Sequence, residues 1–417
     1  MNARDASGAV CPFHAAQEFK PFDTRDPFGF YQQARREEPV FFSPELGYWV
    51  VTRFGDAQAI FKDPQTFSSE NTQTPYKARP PEVVRVLEEG GFSVSSGLSA
   101  RQPPDHTRLR SFINKAFTPR RIGLLEPRIR TLVQQMIGAF EGDGHADLVA
   151  QLSNDLPALV IFMLLGIPDE DVPNVKMWAQ SRVMLNFGDL PIDDQIEHAH
   201  NLVRYWNYCL ALVDSRLEHP QDDLPGDLAR LAQDGAHEIS RDEIASLVYT
   251  QLTAGHETTS NLLGNGLMEL LRHRSQWEKL CEDSSLIPNA VEELLRFGPS
   301  VFAWRRKVKK PARVGTVDLP EGANILMLLG SANRDEATFP EGETLDVTRA
   351  NAKEHLSFGL GIHYCLGAPL ARLEAKIVLE ELTARLPGLR LCEQNFEFSP
   401  NTSFRGPLSV KVEWSRA

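Results

Sequence analysis

Phe-Gly-Leu-Gly-Ile-His-Tyr-Cys-Leu-Gly-Ala-Pro-Leu-Ala, residues 358–371, is the stretch on which the reading of this chain turns. It surrounds one cysteine, Cys365, with glycines at 359, 361 and 367, and it opens a helical pattern over residues 366–386. Glycines so dense before a helix mean that the backbone bends where side chains would collide, or lies close to something flat. The other cysteines, at 11, 209, 281 and 392, are scattered and form no Cys-x-x-Cys pair, so neither a disulfide framework nor a structural zinc site is indicated.

Composition narrows the function classes. The 417 residues carry 44 Lys plus Arg against 56 Asp plus Glu, a net charge of -12 that argues against nucleic acid as a main partner. The longest apolar run, 156–167, contains Pro157 and is too short to span a bilayer. The first twenty residues lack the apolar core of a secretory signal. A cytoplasmic monomer without a membrane anchor is expected, with residues 1–20 a loose terminus and 21–417 a single domain.

Outward from the cysteine stretch, the chain reads as mainly α with minor β. Helical periodicity covers about 104–117, 120–140, 147–165, 171–187, 193–218 and 240–273, punctuated at Pro119, 142–144, Pro168 and 220–225. Residues 39–42 and 47–52 read as two strands, and 312–319 with 323–329 as a hairpin around 320–322. A long polar segment, 63–103, and the break at 188–191 are candidate lids.

The pattern over 240–273 is long enough to cross a domain, about 50 Å at ~1.5 Å per residue. It starts with capping-box spacing at Ser240 and Glu243 and is interrupted by Ala254-Gly255-His256-Glu257-Thr258-Thr259. Gly255 and the threonines weaken the helix there, which suggests a widened groove admitting a ligand or water. Local hydrogen bonds are the plain alternative for Glu257 and Thr258. His256-Glu257 is not half of a zinc-protease motif, since position 260 is Ser. Glu293 and Arg296 stand three apart on one helical face, a pair that in isolation carries little weight.

Taken together, Ala-Gly-x-Glu-Thr at 254–258, Glu-x-x-Arg at 293–296, Asp-x-x-Arg at 346–349 and Phe-x-x-Gly-x-His-x-Cys-x-Gly at 358–367 resemble the motifs of a cytochrome P450, a haem-thiolate monooxygenase. Segments 43–53, 303–306 and 400–407 look similar to the haem domain of the self-sufficient bacterial class fused to a flavin and iron-sulfur reductase. The chain ends at Ala417 without such a reductase, so a ferredoxin or a separate or removed flavin/iron-sulfur reductase is the expected electron source.

The resemblance implies the cytochrome P450 fold, with haem b between the long central helix and the cysteine-loop helix. It makes Cys365 the iron ligand, whose thiolate favours O–O cleavage. A helix N-terminus stabilises that anion. Phe358, Gly359 and Ala254 would lie against the haem, and His106, Arg110, Arg305 and His363 would meet its propionates, with Arg108 and Arg306 at the surface. Glu293, Arg296 and Arg349 would form a structural ion network. Glu257 and Thr258 would organise proton delivery during oxygen activation. Arg108, Lys115 and Arg372 would form a basic patch for an acidic electron donor.

The pocket is expected to draw on Thr250, Thr253, Val301, Phe302, Ala303 and Phe404, without a fixed cation. That favours a small, neutral, mainly apolar substrate that is hydroxylated or O-dealkylated with O2, and the resemblance to the self-sufficient class implies an aromatic one. A haem-thiolate isomerase or dehydratase, or a haem sensor, is the competing reading.

Overall fold

The structure, a computed structural model, describes residues 13–94, 97–234 and 239–415. Cys11 and the first twelve residues of the expected loose terminus lie outside the described residues. Residues 13–19 are not loose: Phe13, Ala15 and Phe19 are buried, and both phenylalanines pack on Phe30. The Ala15 N–H also donates to Glu38 Oε2 at 2.6 Å.

The central helix, Arg241–Arg272, organises the α-helical part. Its capping box is formed: Ser240 Oγ accepts from the Glu243 N–H at 3.2 Å and Glu243 Oε2 from the Ser240 N–H at 3.0 Å. Around it pack Leu156–Leu164, Val172–Phe187, Ile192–Glu218, Ile287–Phe297 and the cysteine-loop helix Ala368–Arg385. The helix runs unbroken through 254–258, where the sequence suggested a widened groove. Gly255 serves packing instead, because a Cβ there would come within 2.5 Å of Ile161 Cγ1. Thr258 Oγ1 donates back to the Ala254 carbonyl at 2.8 Å, the local bond that such residues make inside helices.

A five-stranded sheet has the order Val40–Ser43, Tyr48–Val51, Asn324–Met327, Trp304–Val308, Phe67–Ser68. This corrects the expected hairpin around 320–322. Ala312–Val314 pairs with Val317–Leu319 across Gly315, while Asn324–Met327 runs parallel to Tyr48–Val51 and antiparallel to Trp304–Val308. A positive φ of 56° at Gly315 makes the earlier, tighter turn possible. The polar segment 63–103 contains a helix, Pro81–Glu89, whose Val83 and Leu87 pack on Ala199 and Leu202.

An unforeseen helix, Leu224–Gln233, starts where prolines suggested a break. Asp223 caps it by accepting from the Gly226 N–H at 2.7 Å, and Pro225 sits in the first turn, where a missing N–H costs nothing.

Candidate active site

A cavity of about 270 Å³ separates the central helix from the Cys365 loop. Ala254, Glu257 and Thr258 line it from one element, and Phe358, Gly359 and Cys365 from the other. The loop owes its shape to two glycines in the left-handed region, Gly359 at φ 66° and Gly361 at φ 73°. A Cβ on Gly361 would also come within 2.9 Å of the Phe61 carbonyl oxygen. The Cys365 N–H donates to the Phe358 carbonyl at 2.9 Å, and the cysteine-loop helix begins three residues later.

Burial pushes the Cys365 thiol up, while the Gly367 and Ala368 N–H groups and the Arg110 and Arg372 charges pull it down. Cys365 is surrounded by protein yet keeps surface open to the cavity. That surface is where a metal ion would reverse the balance and hold the sulfur as thiolate.

At one edge of the cavity His363, Arg110 and Arg306 line the wall, with His106 packed against His363. His106 is 2% exposed, and neither ring nitrogen has a partner. Its ring lies 4.3 Å from that of His363, whose Nε2 meets Ser69 Oγ at 3.1 Å. Arg110 donates to the Tyr364 carbonyl at 2.8 Å. Arg306 is 3% exposed, lines the cavity and, among the described residues, bonds only the Arg305 carbonyl, at 2.7 Å. Burial, with Arg306, His106 and Arg110 close by, lowers His363 to about 3. Burial lowers Arg306 to about 10. The orphaned His106 nitrogens, beside guanidinium groups that meet no carboxylate among the described residues, fit a carboxylate-bearing group, which would supply the missing acceptors.

Arg305 does not belong to this cluster. It is fully buried, and its guanidinium donates to the Thr72 carbonyl at 2.7 Å and to the Thr74 carbonyl, against the Tyr76 and Phe187 rings. Arg306, expected at the surface, thus lines the cavity, and Arg305, expected beside it, is held in the interior. Side chains alternate along the strand Trp304–Val308, so Arg306 shares the cavity face with Trp304 and Arg305 points away. That alternation was the available signal.

Of the expected pocket residues, Thr250, Thr253, Val301 and Phe404 line the cavity. Phe302 and Ala303 do not. Both are fully buried in a separate cluster with Tyr31, Phe41 and Val50. The wall also carries a fixed cation that was not expected, Arg182, and a carboxyl, Glu374, that is 1% exposed with Oε2 unpaired. Burial raises Glu374 well above the ordinary carboxylate range, and burial raises Glu257 too, against the Asn261 amide.

Glu293, Arg296 and Arg349 come together. Arg296 Nε and Nη2 meet the two Glu293 oxygens at 2.7 and 2.8 Å, and Arg349 Nε meets Oε1 at 3.2 Å. Remaining guanidinium donors reach the carbonyls of Asn333, Pro340, Gly342 and Thr344, which ties down the irregular run after the sheet. The expected basic patch is less available. Arg108 is bound to Glu243 at 2.5 Å, and Arg372 holds Glu292 at 2.6 and 3.0 Å while its guanidinium covers Phe358.

Residues 218–386 match the family described as cytochrome P450. The chain is similar to the polyketide biosynthesis cytochrome P450 PksS of Bacillus subtilis, 34% identical over 94% of this chain and 96% of that protein. Among solved structures, cytochrome P450 CREJ in complex with (4-ethylphenyl) dihydrogen phosphate superposes with a TM-score of 0.94 at 47% identity, over 96% of this chain and all of that one. Full-length CYP116B46 from Tepidiphilus thermophilus gives 0.92 at 36% identity, with 96% of this chain and 54% of that one covered. No helix among the described residues is long and apolar enough to cross a membrane.

Proposed function

The chain belongs to the cytochrome P450 family, whose members are haem monooxygenases, and we propose that it hydroxylates or O-dealkylates small aromatic compounds with electrons from an NAD(P)H-driven iron-sulfur or flavin partner. Bound through a cysteine thiolate, haem supplies the activation of O2: one oxygen atom enters the substrate and the other leaves as water, using two electrons and two protons.

The observation that carries the reading is that Cys365 and the Glu257–Thr258 pair line one cavity from opposite elements. In this reading Cys365 ligates the iron, while the glycines at 359 and 361 let the loop backbone lie close to the macrocycle. Phe358 packs beside the sulfur and is held by the Arg372 guanidinium 4.6 Å from its ring centre. His106, Arg110, Arg306 and His363 would hold the propionates, and Ala254 would bound the site from the central helix.

Thr258 holds its hydroxyl at the cavity wall by donating to the Ala254 carbonyl. The hydroxyl's acceptor lone pairs can therefore orient a water or an incoming proton donor. Glu257, raised by burial, lines the same cavity next to Thr258 and is placed to relay a proton toward that hydroxyl. Glu293, Arg296 and Arg349 do no chemistry and brace the segment below the cysteine loop.

Support for a substrate that is aromatic comes from Phe187, Trp304 and Phe404, which line the cavity and touch one another at ring separations of 5.0–6.2 Å. It also comes from the aromatic ring of the ligand bound by the CREJ relative. The phosphate of that ligand is a separate question, decided by the charges of this cavity.

Purification with haem followed by reduction under carbon monoxide tests the reading. The red-shifted Soret band of thiolate ligation is expected in the wild type and is lost in Cys365→Ser. An unchanged band in that variant would remove Cys365 from the iron.

A further inference from the structure

The cavity wall holds charge that the propionate site does not use. Arg182, on the helix Val172–Phe187, lines the cavity and is 6% exposed. Its Nη2 donates to Gln73 Oε1 at 3.0 Å and its Nη1 to the Tyr249 carbonyl at 3.4 Å, with the guanidinium carbon 4.6 Å from the Tyr249 ring centre. This places it beside Tyr249, five positions before Ala254 on the central helix, and away from the group gathered around His363.

Arg79 reaches the same place from the loop before Pro81–Glu89. Its Nη2 donates to Asn186 Oδ1 at 2.8 Å, one helical turn beyond Arg182, and its Nε is buried without a partner. Both guanidinium groups act electrostatically on Tyr249.

A guanidinium has five N–H donors. Arg182 uses two and Arg79 one, and neither meets a carboxylate among the described residues. The acid at the neighbouring turn, Asp189, is held by Lys77 at 2.7 Å. The carboxyls that line the cavity, Glu257 and Glu374, make no hydrogen bond or ion pair with either guanidinium among the described residues. One buried and one half-buried guanidinium group, most of their donors unused and without a carboxylate among the described residues, leave donors for an anion from outside.

We propose that Arg182 in the cavity wall, with Arg79 beside it near Tyr249, forms an oxyanion subsite, so that the substrate is an aromatic compound carrying a phosphate monoester or a carboxylate. The proposal rests on the monooxygenase reading and adds the charge of its substrate. It differs from the neutral substrate expected from the sequence.

The test titrates the haem-loaded protein with 4-ethylphenyl phosphate, 4-ethylbenzoate and 4-ethylphenol, following the Soret band and binding heat. At least one anion should bind about 10-fold or more tightly than the phenol, and the tighter of the two identifies the anion class. Arg79→Gln should weaken that anion by about 10- to 100-fold and leave the phenol within about threefold. Arg182→Gln should do the same, and Arg182→Lys should restore only part of the loss, since an ammonium cannot make the two-bonded fork.

If Arg182→Gln does not fold, Arg79→Gln, at a more open position, decides the matter. A phenol bound as tightly as both anions, or anion affinity unchanged in a folded Arg79→Gln, overturns the subsite. Failure of every compound to yield product with O2 and reductant would instead count against the monooxygenase reading, because the affinity pattern needs no turnover.

Discussion

Arg305 and Arg306 are neighbours in one strand and serve opposite sides of it: Arg305 donates to the Thr72 and Thr74 carbonyls in the interior, while Arg306 faces the cavity. Arg306→Gln should therefore lower haem retained per protein and leave unfolding nearly unchanged. Arg305→Gln should leave the haem content of folded protein near normal but destabilise it by about 1–3 kcal/mol, because two buried carbonyls lose their donor. Haem-to-protein absorbance ratios and denaturant titrations separate the two.

The Glu293–Arg296 pair is fully buried, and among the described residues the two charges are compensated by each other, by Arg349, by the Asp346 N–H and by backbone carbonyls. Arg296→Met should cost about 3–5 kcal/mol, the penalty for leaving one buried charge without its partner. Urea unfolding measures it, and a loss below about 1 kcal/mol would contradict the bracing role.

Thr258→Ala should slow product formation by about 10-fold or more and raise the share of NAD(P)H consumed without product, while substrate affinity stays the same. Thr258→Ser keeps the hydroxyl and should recover most of the coupling. The product-to-NAD(P)H ratio is the readout.

Glu292 gives a pH prediction. Burial raises its carboxyl, but His355 at 3.2 Å and Arg372 at 2.6 Å outweigh burial and hold it at about 2 against an ordinary 4.5. A carboxylate lowered in the folded state stabilises the fold above its unfolded pKa, and that stability is lost as pH falls through the folded value. The loss should fall between about pH 4.5 and 2 and amount to about 3 kcal/mol at most. His355, itself lowered by burial, acts in the same direction on acidification from its ordinary 6.5. Unfolding free energy of Glu292→Gln should depend less steeply on pH over that window than the wild type.

The helices and the Cys365 loop were legible because their signals are local. Capping at Ser240, the glycines at 359 and 361 and apolar periodicity each act within a few residues. What the sequence hid depends on pairing between distant segments. Asn324–Met327 joined Tyr48–Val51 through a crossover and so escaped the hairpin reading. Arg305 and Arg306 differ by one position, and which of them faces the cavity is set by the strand's register against Asn324–Met327.

Arg182 looked like one more helical arginine, because only the packing of Gln73 and Tyr249 against it shows that it is buried. Phe302, placed in the pocket from its neighbours, belongs to the core because Gly330 leaves room for its ring there.

The account stands most directly on where the oxygen in the product comes from. Turnover of a substrate that the haem-loaded protein hydroxylates, with a reductase under heavy-isotope dioxygen, should place one labelled atom in each hydroxylated product molecule, with the other label in water. Unlabelled hydroxylated product, or product formed at full rate without oxygen, would contradict it.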